Sequence, residues 1–191
     1  MIDLRQALRR SMAKKNVLIT GPPGTGKTTL IKKLADEFKD LNPAGFYTAE
    51  MRERGARGGF EIVGLDGTRR VLSHVNIKGL DRVGKYGVDV KGFDGYLGTL
   101  ALSDPNVKIV IIDEIGKMEC LSRQFIDLMQ EVLDSQKPLI ATIAQRAGGF
   151  IAEVKKRGEV KIFEVTQANR DSLAESISEY LREVLRATEK S

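Results

Sequence analysis

Apolar residues recur along this chain in two rhythms. Short runs rich in β-branched residues alternate with longer stretches whose apolar positions return every three or four residues. The runs predict strands over 16–20, 44–49, 107–112, 138–143 and 160–165. The longer stretches predict helices over 27–39, about 92–103, 119–135, 147–157 and 169–187. Such alternation is the pattern of a parallel sheet covered by helices, an α/β fold. Val107–Ile112, Pro138–Ile143 and Val160–Val165 read as strands buried on both faces and so as the centre of the sheet. In the last helix Ser172 and Glu175 have the spacing of a capping box, and Leu173, Ile177, Tyr180, Leu181, Val184 and Leu185 form its apolar stripe. Ile2, Leu4, Leu8 and Met12 predict a further short amphipathic helix over 3–14.

Between residues 58 and 90 the rhythm changes to alternation. Gly59–Leu65 and Thr68–Leu72 flank Asp66–Gly67, a strong hairpin signal, so a β-hairpin insertion interrupts the βα order. Residues 16–191 then read as one domain behind a basic N-terminal extension, residues 1–15. That extension carries +4 of the chain's formal charge of +5, through Arg5, Arg9, Arg10, Lys14 and Lys15 against Asp3. The body is nearly neutral, which argues against a nucleic-acid groove across it and leaves open a short basic arm that touches an acidic surface. Cys120 is the only cysteine, so no internal disulfide forms. No run is long and apolar enough for a membrane span or a secretory signal. A cytoplasmic protein is expected, of undetermined oligomeric state.

The chemistry concentrates at two places. Gly21-Pro22-Pro23-Gly24-Thr25-Gly26-Lys27-Thr28 is a complete G-x-x-x-x-G-K-[ST] loop, set between a strand and a helix. Its glycines let backbone N–H groups converge on phosphate oxygens, and the helix that opens behind them adds its positive dipole end. Lys27 reaches the β and γ phosphates, Thr28 offers a hydroxyl to Mg2+, and Thr29 continues the cradle. The second place is Lys108-Ile-Val-Ile-Ile-Asp113-Glu114, a strand ending in two acids. Asp113 is placed to hold Mg2+, as a Walker B aspartate does, and Glu114 to accept a proton from the attacking water. Asp113-Glu114-Ile115-Gly116 also fits D-x-x-G, in which the glycine N–H senses the γ phosphate of a switch. The two readings compete, and Glu114 favours hydrolysis. Lys117 is a candidate for stabilising γ-phosphate charge. Glu119 either faces the phosphates or is no more than a first-turn acid favoured by the helix dipole.

Six segments carry a wider likeness: Gly21–Thr29, Gly45-Phe-Tyr-Thr-Ala-Glu-Met-Arg52, Gly58-Gly-Phe60, Val83-Gly-Lys-Tyr-Gly-Val88, Asp113-Glu-Ile-Gly-Lys-Met-Glu119 and Val165-Thr-Gln-Ala-Asn-Arg170. Together they resemble the small P-loop nucleoside-triphosphatase family described from thermophilic microbes and, in humans, as the cancer-related nucleoside-triphosphatase. The likeness spans residues 16 to about 187. It implies a three-layer, RecA- and AAA-like fold with a mainly parallel central sheet. It also implies Mg2+-dependent conversion of nucleoside triphosphates to diphosphates and phosphate, with slow turnover and loose base selectivity. Residues 1–15 depart from that family's usual start.

A phosphoryl transition state wants positive charge beyond Lys27. Arg52, Arg54 and Arg57, among Gly55, Gly58 and Gly59, are the first candidates for a loop that closes on the nucleotide, and Arg146 is the second. No Asn-Lys-x-Asp guanine motif occurs, and Asn169 and Arg170 either line the base or cap the last helix. Phe46, Tyr47, Phe60, Tyr86, Phe93 and Tyr96 read as core or pocket wall, with Phe46, Tyr47 or Tyr86 available to pack on a base. His74 has no neighbouring metal-ligand cluster, and Cys120 reads as a small apolar residue. Two rivals to hydrolysis stand. A small-molecule or nucleotide kinase would need an acceptor site, which only the 58–90 insertion can supply. A nucleotide-dependent binding module would use Asp113–Gly116 as its switch and the basic arm as its contact.

Overall fold

The alternation of strands and helices builds a single nine-stranded sheet in the computed structural model, which describes residues 14–53 and 55–189. Its strands are β1 (Asn16–Thr20), β2 (Ala44–Glu53), β3 (Ala56–Gly64), β4 (Arg69–His74), β5 (Arg82–Val83), β6 (Tyr86–Val88), β7 (Val110–Ile115), β8 (Leu139–Ile143) and β9 (Val160–Glu164). They lie in the order β5-β6-β4-β3-β2-β7-β8-β1-β9. From β2 to β9 every pairing is parallel. From β2 outward through β3, β4, β6 and β5 every pairing is antiparallel. The insertion is thus larger than the single hairpin expected: four strands extend the same sheet, although the Asp66–Gly67 turn is where the sequence puts it. There Gly67 N–H donates to the Gly64 carbonyl and Gly64 N–H to the Thr68 carbonyl.

Helices α1 (Lys27–Glu37) and α5 (Arg170–Glu189) cover one face of the sheet, and α2 (Val90–Leu97), α3 (Arg123–Asp134) and α4 (Phe150–Lys156) the other. β1 shows why both faces are apolar: Val17 and Ile19 pack on α1 and α5 while Leu18 joins the opposite core, and all three are fully buried. Leu173, Ile177 and Leu181, four residues apart, lay α5 along the sheet.

Several boundaries move for local reasons. β9 is an edge strand, not a central one: of its residues only Val160 is buried, and Lys161, Ile162 and Glu164 are exposed. β7 begins three residues late and contains the two acids; the pairing to β8 breaks between Ile112 and Ile115 and resumes at Ile143. β8 begins after Pro138, which has no N–H for the ladder but accepts from Val110 N–H at 3.0 Å. α2 ends at Leu97, well short of 103. Residues 119–121 form a 3₁₀ turn, and α3 starts after Ser122, whose Oγ accepts from Phe125 N–H at 2.9 Å. The capping box is corrected too. α5 opens at Arg170, so Ser172 lies inside its first turn and its hydroxyl donates to the Asn169 carbonyl at 3.2 Å.

The helix expected over 3–14 lies outside the described residues except for Lys14, whose carbonyl accepts from the Tyr180 hydroxyl at 2.8 Å. Arg54 lies outside them as well.

Candidate active site

The sheet's parallel order sets the cradle beside the acids, because β1 and β7 are separated only by β8. The chain leaves β1 at Gly21 and enters α1 through Gly26, whose φ of 93° lies in the left-handed region that glycine adopts without strain. No side chain caps α1, so its first N–H groups are left to an incoming anion. Thr25 braces the loop by donating from Oγ1 to the Pro22 carbonyl at 2.8 Å. Lys27 Nζ donates to the carbonyls of Gly21 at 2.9 Å and Pro22 at 3.1 Å, which keeps the ammonium over the loop. Pro22, Pro23, Gly24 and Thr29 are exposed.

Across the gap, Thr28 Oγ1 donates to Asp113 Oδ2 at 2.6 Å. Asp113 is 1% exposed, and its other oxygen accepts from the Thr142 hydroxyl on β8. Burial pushes the Asp113 carboxyl above its ordinary range, opposed by the Thr142 and Thr28 hydroxyls, the Lys27 charge and the Thr48 N–H. Two hydroxyl-bonded carboxylate oxygens make a hard donor set. No group of three or more His, Cys, Asp or Glu suited to a metal occurs among the described residues. The Thr28–Asp113 pair therefore fits a cation such as Mg2+, which takes its remaining ligands from phosphate and water.

Glu114 is half-buried, and its carboxyl is raised first by that burial and then by Asp113, with Lys27 opposing. Glu119 opens the 3₁₀ turn as a first-turn acid, but a buried one. It is 5% exposed and pushed up to about 8 by burial and by Glu114, while its own N–H and that of Gly116 donate to it. Gly116 sits between the two acids: a Cβ there would lie 2.7 Å from Glu119 Oε2 and 2.8 Å from Glu114 Oε1. Only glycine permits that approach, and its N–H is engaged by Glu119. Ile115 is fully buried in the core, so it can meet a nucleotide only through its backbone. Beside Glu114 opens a cavity of about 280 Å³ that also meets Lys117, Glu119 and, from the antiparallel strands, Phe60, Leu72 and Val83.

The outlying candidates fall as follows. Arg52 and Arg57 stand at the tip of the β2–β3 hairpin, both paired with Glu50, Arg52 at 3.0 Å. Arg146 and Lys117 are exposed, Arg146 in the loop after β8. Asn169 spends its side chain on its own loop, accepting from Thr166 N–H at 2.8 Å and donating to the Glu164 carbonyl at 2.9 Å. Arg170 is exposed, 3.7 Å from Asp171. Phe46 cannot pack on a base: it is fully buried, edge-on to Phe93 and Tyr96 at 5.9 Å. Tyr47 lies under the Lys32 ammonium, and Tyr86 stands edge-on to Phe60 at 5.3 Å. His74 Nδ1 accepts from Asn76 N–H, and its Nε2 is 3.2 Å from Glu53. The half-buried Cys120 thiol is pushed up to about 12 by burial, Glu119 and Glu114, which makes it a poor nucleophile. Thr142 was not singled out in the sequence, although a lone hydroxyl inside Leu139-Ile-Ala-Thr-Ile143 was the available signal. Among the described residues no helix is long and apolar enough to cross a membrane.

The chain is similar to known proteins. The chain is 44% identical over 167 residues to the nucleoside-triphosphatase THEP1 of Thermotoga sp. (strain RQ2), covering 87% of this chain and 95% of that protein. It is 40% identical over 179 residues to the human cancer-related nucleoside-triphosphatase, covering 85% and 94%. The crystal structure of THEP1 from the hyperthermophile Aquifex aeolicus superposes with a TM-score of 0.74 at 34% identity, covering 85% of this chain and 96% of that one. Residues 16–178, from β1 into α5, match the model of the family described as NTPase, and the chain belongs to that family.

Proposed function

We propose that this chain is a cytosolic, Mg2+-dependent nucleoside-triphosphatase that releases phosphate from several nucleoside triphosphates with little base selectivity. The observation that carries the reading is the 2.6 Å contact between Thr28 of the cradle and Asp113 of β7, which joins the phosphate loop to the acidic strand. The loop N–H groups and the start of α1 bind the polyphosphate, and Lys27 stabilises the charge that develops as the diphosphate leaves. Thr28 and Asp113 would hold Mg2+, which supplies charge neutralisation on the phosphate oxygens. Glu114 accepts the proton of the water that attacks the γ phosphorus, a role suited to a carboxyl raised by burial. Loose base selectivity is supported by the absence of a guanine-reading motif and by the commitment of Asn169 to its own loop.

The test is phosphate release from the four common triphosphates, with and without Mg2+, for the parent chain and Glu114→Gln. Comparable rates with all four are expected, lost without the ion. In the variant the rate falls by about 10²–10⁴-fold with nucleotide binding retained. An undiminished rate in Glu114→Gln would remove the base from the mechanism, and release from one triphosphate alone would remove the loose selectivity.

A further inference from the structure

Hydrolysis needs space for one water beside Glu114, roughly 30 Å³ of liquid volume. The cavity that meets Glu114 measures about 280 Å³. Its composition is as informative as its size. One side is Glu114 at the end of β7 and Glu119 in the 3₁₀ turn that follows; the other is Phe60 of β3, Leu72 of β4 and Val83 of β5, all from the antiparallel strands. That apolar wall is braced. Tyr86 packs edge-on against Phe60 at 5.3 Å, and the Arg57 guanidinium lies 5.6 Å from the Phe60 ring centre.

We propose that this cavity seats a small alcohol without negative charge, and that the site transfers the γ-phosphoryl group to that alcohol's hydroxyl as well as to water. The inference rests on the nucleotide site assigned above. The class of acceptor follows from the walls: an apolar body packs on Phe60, Leu72 and Val83 while its hydroxyl reaches Glu114. A second nucleotide or other anion is disfavoured, because the acceptor must lie against the Glu114 carboxylate and the one cation lining the cavity, Lys117, is exposed. In the step the acceptor oxygen forms a bond to the γ phosphorus and the bond from that phosphorus to the β–γ bridging oxygen breaks. The hydroxyl proton passes to the Glu114 carboxylate. The products are a phosphate monoester and the nucleoside diphosphate, with no oxidant or reductant required.

The experiment uses the full chain with ATP and Mg2+ in the presence of equal concentrations of 1-butanol and methanol, with phosphate, methyl phosphate and butyl phosphate quantified together by ³¹P NMR. Methanol reports the reactivity of a hydroxyl with almost no apolar body. Butyl phosphate is expected to exceed methyl phosphate by about 50-fold, the worth of burying the three methylenes by which the two alcohols differ, and to saturate with butanol concentration. Filling the cavity with Val83→Phe, or independently with Ala144→Leu, should abolish the butyl preference. Free phosphate with no ester, equal amounts of the two esters, or a preference untouched by both substitutions would overturn the acceptor cavity while leaving hydrolysis standing. Formation of neither phosphate nor ester would bring down the nucleotide reading together with it.

Discussion

Thr142→Val replaces a hydroxyl by a methyl of similar volume at a fully buried position whose only polar task is to donate to Asp113 Oδ1. A hydrogen bond to a charged group contributes about 1.5–3 kcal/mol, and the carboxylate left behind is only 1% exposed. The loss falls on the ionised form of Asp113, the form that would hold a cation, and burial already disfavours that form. Taking about 2 kcal/mol and tenfold per 1.4 kcal/mol, cation affinity should fall roughly 30-fold, inside the 10–100-fold range for residues that orient a metal ligand. The assay is phosphate release as a function of Mg2+ concentration. The half-saturating concentration should rise by that factor while the rate at saturating ion stays near that of the parent, and Thr142→Ser should restore the original curve. A Thr142→Val curve that overlays the parent would refute the idea that Thr142 tunes the ion site through Asp113.

Glu119→Gln should change how stability depends on pH. The Glu119 carboxyl lies at about 8 in the fold against an ordinary 4.5, so the folded state binds the proton more tightly. Its contribution is present below the ordinary value and lost as pH rises towards 8, by at most about 5 kcal/mol. In urea unfolding the variant should match the parent near pH 5 and exceed it near pH 8; an equal difference at both would contradict the assignment. Phe46→Ala removes a fully buried ring shared with Phe93 and Tyr96 and should cost about 3–5 kcal/mol in the same assay. A cost below 1 kcal/mol would show that the site collapses freely. Iodoacetamide at pH 8 should label Cys120 at least about tenfold more slowly in the folded chain than in urea, and equal rates would contradict its raised thiol.

The phosphate loop was legible because eight consecutive residues have one backbone solution, and the structure places Thr28 against Asp113 accordingly. The α/β alternation was legible for the same reason of period. What escaped depends on contacts between distant segments. Val160–Val165 has the composition of a buried strand, yet it pairs on one side only, because nothing in its residues says how many neighbours it will have. Thr142 looked like one polar residue in an apolar run until β8 came to lie beside β7. Glu119 is legible as a first-turn acid but its burial is not, because that depends on Gly116, where a side chain would collide with the Glu114 and Glu119 carboxyls. Ser172 had the right spacing for a cap, but Asn169, three residues earlier, ends the loop first. Phe46 was ambiguous between core and base because a ring's neighbours are set by packing, here α2 and α3.

Strand β2 belongs to both halves of the sheet. Its residues 44–46 pair with β7, and residues 46–53 pair with β3 out to the tip that bears Arg52 and Arg57. The tip is therefore the far arm of a stiff lever whose near arm is clamped next to Asp113. It cannot swing as an independent flap; any displacement must be taken up by bending the strand. The point of least resistance is the register shift between Met51 and Arg52, where the ladder to β3 is interrupted. Compliance beyond that point leaves Asp113 and Glu114 undisturbed, whereas a force applied before it would be felt directly at Thr48 and Asp113.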